Sequence, residues 1–262
     1  RRGNRRLVRS ASRRYIPASR ASPGGSRQPQ VSHDALKRAA AEAALERVRS
    51  GMRLGLGTGT TVRHLIDLLA ERIASGALSD IVGVPTSLRT ARQARELGIP
   101  LAELVEHPRL DLTIDGADEV TPALDLIKGL GGALLREKMV AQASDRLLVI
   151  SDDRKLVTRL GERVPLPVEV VEWAWDAHVP FLEGLGARVT LRTGPDDEPL
   201  WSDNGTLFLD CSFDGGIEDP VELERALLYR AGVVDTGLFL GMASEALIAS
   251  EDGVRVMTPE AG

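Results

Sequence analysis

The sequence predicts an α/β protein: a Rossmann-like, mostly parallel sheet domain with an inserted, smaller ferredoxin-like α+β domain. Three observations carry that prediction. Short apolar strands alternate with helical stretches from residue 34 to residue 150, the order that builds a parallel sheet covered by helices. After residue 160 the segment Val164-Pro165-Leu166-Pro167 breaks the chain, and a β-α-β-β-α-β succession begins. Near the end, Glu245–Ala249 and Val254–Met257 can return as strands to the first sheet. The expected division is a disordered basic tail over 1–30, a catalytic domain over 31–162 plus 239–262, and the inserted domain over 163–238.

The elements follow in order. Ser32 is a plausible N-cap for a helix from Asp34 to Arg49, with Gly51 just past its end and Leu36, Ala40, Ala43, Ala44 and Val48 at helical spacing. Arg53–Leu56 reads as a strand, and the turn Gly57–Thr61 opens a helix that runs to Ala74. A strand at Ile81–Val84, a helix at Leu88–Leu97 and a strand at Leu110–Ile114 come next. A loop with Gly129, Gly131 and Gly132 leads into a helix over Leu134–Ala143, and Leu147–Ile150 is a buried strand. The inserted part reads as strand Val168–Glu172, helix Ala174–Leu185, strands Arg188–Arg192 and Thr206–Asp210, helix Pro220–Tyr229 and strand Gly232–Thr236. Ligands of open parallel sheets bind at the carboxyl ends of the strands. Thr58–Thr61, Thr86-Ser87, Asp115–Asp118 and Ser151-Asp152 all fall there.

Composition narrows the function. The formal charge of −5 over 262 residues hides a split: residues 1–30 hold nine Arg and no acid, and the remainder is at −14. An Arg-, Ser- and Gly-rich tail cannot bury enough surface to order itself. It reads as a transit peptide, a nucleic-acid-binding arm, or a translated leader of GC-rich DNA. One cysteine, Cys211, excludes an intramolecular disulfide scaffold and a Cys-rich zinc module. No apolar run approaches the length of a membrane-spanning helix. The four His lie far apart without metal-ligand spacing. An acidic body with 3% aromatics lacks the basic face and stacking platform of a nucleic-acid binder. The expected location is cytoplasmic, or plastid if residues 1–30 are a transit peptide.

Four constellations can carry chemistry. In Gly55-Leu-Gly-Thr-Gly-Thr-Thr61, free backbone N–H groups at a helix start and the hydroxyls of Thr58, Thr60 and Thr61 suit an anion. The glycine spacing is neither that of a dinucleotide fingerprint nor that of a P-loop. In Asp115-Gly116-Ala117-Asp118-Glu119, three mutually repelling carboxylates end an apolar strand. They suit a metal such as Mg²⁺, sugar hydroxyls and protons, or a plain helix N-cap. Lys128-Gly129-Leu130-Gly131-Gly132 can place an ammonium where an oxyanion develops. Glu137 then follows among Leu134, Leu135, Met139 and Val140, where partial desolvation would raise its pKa toward that of a working base. A solvated Arg-Glu-Lys patch is the bland alternative. Lys155, shortly after Ser151-Asp152, can serve a phosphate or simply be a surface lysine.

Together these segments resemble type A ribose-5-phosphate isomerases. GLGTGTT, LTIDGADEV, LIKGLGGALLREKMVA, SDDRKLV, PLPVEVV and DNGTLFLD match in order and spacing over roughly residues 32–258. The resemblance implies an aldose–ketose isomerase of the non-oxidative pentose phosphate pathway. It would interconvert D-ribose 5-phosphate and D-ribulose 5-phosphate through a cis-enediolate, without metal or cofactor. It implies Glu137 as the base moving a proton between C1 and C2, and Lys128 with nearby N–H groups as stabiliser of the enediolate oxygen. Asp115 and Asp118 would hold sugar hydroxyls, Asp115 being a candidate for assisting ring opening. Thr58, Gly59, Thr60, Thr61, Gly116, Ala117, Gly129, Leu130, Gly131 and Lys155 would line the substrate site, with Lys155 on the phosphate. Leu130 departs from members with three consecutive glycines and serves if its φ is negative. The partners implied are a small sugar phosphate and further copies in a homodimer or homotetramer, with no nucleic acid and no membrane. A coenzyme A transferase or amino-sugar-phosphate deaminase on a related fold, and the sensor domain of a transcription regulator, are the rival readings.

Overall fold

The computed structural model describes residues 32–259, so the basic tail lies outside the described residues. The chain folds in the order α1 (His33–Leu45), β1 (Arg53–Leu56), α2 (Thr60–Ala74), β2 (Val82–Pro85), α3 (Leu88–Glu96), β3 (Leu112–Asp115), β4 (Glu119–Val120), β5 (Leu126–Ile127), α4 (Leu134–Gln142) and β6 (Leu147–Asp152). It continues with β7 (Leu166–Val170), α5 (Val179–Gly184), β8 (Ala187–Leu191), β9 (Leu207–Phe213), α6 (Pro220–Leu228), β10 (Val233–Thr236), β11 (Leu238–Phe239), β12 (Ala243–Ser250) and β13 (Gly253–Met257). The central sheet has the order β13-β12-β6-β3-β1-β2 and is parallel throughout except for the edge strand β13. The second sheet, β10-β7-β9-β8, is antiparallel, the strand order of the expected β-α-β-β-α-β unit. The late strands β12 and β13 do return to the first sheet.

The local chemistry explains the boundaries. The Ser32 hydroxyl accepts from the Ala35 N–H and starts α1. This helix stops at Leu45, short of the expected Arg49, because residues 46–48 tighten onto carbonyls three back before the Gly51 turn. The expected helix over Ala174–Leu185 is instead a 3₁₀ turn, Trp175–His178, followed by the short α5. Pro180 is the reason, since it has no N–H to give an earlier turn and fits only at a helix start. A third sheet, β11-β5-β4, was not expected and sits next to the site. Apolar side chains of α1 and α2 pack on those of β1, β3, β6 and β12 as the main core, and a second core fills the β7–β10 unit.

Candidate active site

Parallel pairing aligns the carboxyl ends of β1, β2, β3 and β6. The loops that leave them meet at a cavity of about 680 Å³. After β1, Gly59 takes φ +129 and caps α2 with no side-chain acceptor. The first N–H groups of α2 therefore face the cavity uncapped, beside Thr60 and Thr61. The buried Thr58 hydroxyl is held by Thr86 Oγ1 and Ser87 Oγ at 2.8 Å each and by Thr90 Oγ1 at 3.2 Å.

Lys128 is the hub. It is 3% exposed, an expensive place for an ammonium unless paired. Its Nζ lies 3.0 Å from Asp115 Oδ2 and 3.4 Å from Glu137 Oε2, and donates to the Gly116 carbonyl at 2.6 Å. The Phe239 ring of β11 faces the same ammonium, 5.4 Å away at its centroid. Burial pulls the Lys128 pKa down, but the two carboxylates outweigh it and the net direction is up, so this lysine stays charged.

The two acids differ. Asp115 Oδ1 accepts from the N–H groups of Thr58 and Gly116 at 3.0 and 2.7 Å. Burial pushes its pKa up while Lys128 and these donors pull against it. Glu137 Oε2 has no hydrogen-bond donor. Burial first, and the Asp115 charge second, push Glu137 up to about 8, with Lys128 opposing. Glu137 lines the cavity.

Of the sequence-derived site residues, Thr58, Gly59, Thr60, Thr61, Gly116, Ala117, Asp118, Lys128, Gly129, Gly131, Glu137 and Lys155 line the cavity. Asp115 does not; it lies behind Lys128, 1% exposed. Leu130 is also off the lining, but its N–H donates to Asp118 Oδ2 at 3.0 Å and its φ is not positive, so leucine is tolerated. Glu119 turns away, accepting from Gly161, Arg163 and Val164 N–H groups, which separates the third carboxylate from the other two. No group of three or more His, Cys, Asp or Glu among the described residues is placed to hold a metal. Sequence reading missed Lys37, Arg63, Arg89 and Arg92 on the cavity wall. Lys37 had a signal, being one of only four lysines.

Residues 82–253 match the family model of ribose 5-phosphate isomerase A (phosphoriboisomerase A). The chain belongs to this family. It is 53% identical over 229 residues to the ribose-5-phosphate isomerase A of Gloeobacter violaceus, covering 87% of this chain and 98% of that one. It is 48% identical over 233 residues to a probable chloroplastic ribose-5-phosphate isomerase 3 of Arabidopsis thaliana, covering 87% and 84%. Among solved structures, the ribose 5-phosphate isomerase of Plasmodium falciparum superposes with a TM-score of 0.84 at 38% identity, over 87% of this chain and all of that one. A D-ribose-5-phosphate isomerase in complex with phospho-erythronic acid matches equally well, with the same TM-score, identity and coverage. This isomerase interconverts ribose 5-phosphate and ribulose 5-phosphate. The cavity described above gathers most of the residues singled out by the sequence motifs.

Proposed function

We propose that Glu137 is the general base and Lys128 the electrostatic stabiliser of the enediolate. The observation that carries this is the buried pair itself: a carboxylate pushed up to about 8 and facing the cavity, 3.4 Å from an ammonium that stays charged. Glu137 removes the C2 proton of the open-chain aldose. The C–H electrons form the C1–C2 double bond, and the carbonyl electrons settle on O1 beside Lys128. Glu137 then returns its proton to C1 as O2 becomes the carbonyl and the O2 proton passes to O1. A positioned base contributes about 10²–10⁴ in rate, and an oxyanion donor roughly 10²–10³.

Asp118, half-buried on the cavity wall, holds sugar hydroxyls. Asp115, 3.0 Å from Lys128 Nζ, holds that ammonium in place. The phosphate lies at the uncapped start of α2 with Lys155, where N–H groups and a cation serve a dianion. The reaction as proposed uses no metal or cofactor. Lys128 already supplies the positive charge that Asp115 and Glu137 require. Turnover in excess chelator tests this.

The decisive variant is Glu137→Gln. Its kcat should fall by about 10²–10⁴ with the fold intact; wild-type turnover would place the base elsewhere. A homodimer or homotetramer is the proposed assembly, and sedimentation velocity tests it. Cytoplasmic residence is proposed. The chloroplastic relative supports the plastid alternative. A reporter fused behind residues 1–30 separates the two by where it accumulates.

A further inference from the structure

Arg192 belongs to none of the motifs above and does not line the cavity, yet it reaches the glycine loop of the active site from the edge of the antiparallel sheet. Its guanidinium is paired with both carboxylate oxygens of Asp210 and stacks over the Phe208 ring, 4.7 Å from the centroid. Only 10% of its side chain is exposed. So held, Nη1 donates to the Gly129 carbonyl at 2.8 Å and to the Leu130 carbonyl at 3.3 Å.

A trans peptide directs its C=O and N–H to opposite sides. Turning the Gly129 carbonyl toward Arg192 therefore turns the Leu130 N–H the other way, and that N–H does donate to Asp118 Oδ2. Applied to the next peptide, the same rule turns the Gly131 N–H away from Arg192. Gly131 lies on the cavity wall, with the positive φ of Gly129 before it and of Gly132 after it shaping the loop.

We infer that Arg192 is a positioning residue that orients two consecutive peptides of the glycine loop. Through one it holds Asp118, and through the other it aims the Gly131 N–H at the developing enediolate oxygen, beside Lys128. Neighbouring contacts point the same way. Arg136 and Lys138, which flank Glu137, are both tied to the inserted unit or its flank: Arg136 to Asn204 and the Asp203 carbonyl, Lys138 to Asp235 and the Thr236 carbonyl. The antiparallel sheet thus acts as a jig for the base and the oxyanion loop.

The inference rests on the proposed roles of Glu137 and the loop, and the test separates them. In Arg192→Ala, kcat should fall by roughly 10², the cost of a misplaced oxyanion donor, with KM little changed. Added guanidinium should restore turnover where methylammonium does not. Arg192→Lys, which keeps a charge opposite Asp210 but loses the planar fork, should fold and still be impaired. Phospho-erythronic acid offers a carboxylate to the loop, so calorimetry should show it binding Arg192→Ala more weakly than the wild type. Unchanged kcat, a defect confined to KM, or folded variants indifferent to guanidinium would each overturn the role of Arg192. Full turnover in Glu137→Gln would instead overturn the base assignment and leave the Arg192 measurements standing.

Discussion

Asp115→Asn isolates the charge that tunes the base. Both carboxylates contact one ammonium, at 3.0 and 3.4 Å, so they lie no more than about 6 Å apart. At an effective dielectric of about 20, two charges at that distance interact by roughly 3 kcal/mol, or about two pH units. Asparagine keeps the size and an oxygen for the Thr58 and Gly116 N–H groups, but removes the repulsion. It also releases Lys128 toward Glu137, which lowers the same pKa further. The base must be ionised to act, so kcat/KM in the wild type should rise with pH through about 8 and then level. In Asp115→Asn the rise should move down by about two units or more. The assay is kcat/KM against pH at constant ionic strength. A rise that stays near its wild-type position, or moves up, would refute the electrostatic account of Glu137.

Three further outcomes follow from the same geometry. A folded-state pKa above the ordinary value of 4.5 means that Glu137 favours folding below that value and that this contribution fades as pH rises through about 8. Urea unfolding across that window should show stability declining, and Glu137→Gln should flatten the decline. Gly57→Ala would put a Cβ 2.1 Å from Asp115 Oδ1, so it should cost about 1–3 kcal/mol in urea melts and depress turnover; a neutral result would mean that Asp115 is not seated as described. The substrate is a dianion and the body is acidic, so Lys37, Arg63, Arg89 and Arg92 on the cavity wall should guide it in. kcat/KM should then fall as salt rises, and Arg63→Gln with Arg92→Gln should reduce that dependence; an unchanged salt slope would remove these arginines from the encounter.

Much of this was legible in the sequence, for identifiable reasons. The alternation of strands and helices has a strong period, and Asp115, Lys128 and Glu137 sit in short motifs whose chemistry is local. The third sheet was not legible, since two-residue strands carry no periodicity, and β11 joins β5 from more than a hundred residues away. Phe239 and Arg192 act on Lys128 and its loop only through that folding, and no spacing announces them. Sequence places Asp115 at a strand end, and only the fold brings it to 3.0 Å from Lys128. The helix expected after Ala174 begins only at Val179, because Pro180 has no N–H to donate inside a helix and sits in its first turn.

The return of β12 to the central sheet has a consequence for biogenesis. Leu247 and Ala249 belong to the same apolar cluster as Leu36, Ala40 and Ala44 of α1, so the first helix is covered by one of the last strands. While the chain emerges from the ribosome, the part of the α1 and β6 surface that β12 covers stays open until residue 250 is out. The β7–β10 unit is contiguous in sequence and can close earlier. Nascent chains stalled before β12 should therefore recruit chaperones and be cut readily by protease, and release of the last thirty residues should end both together.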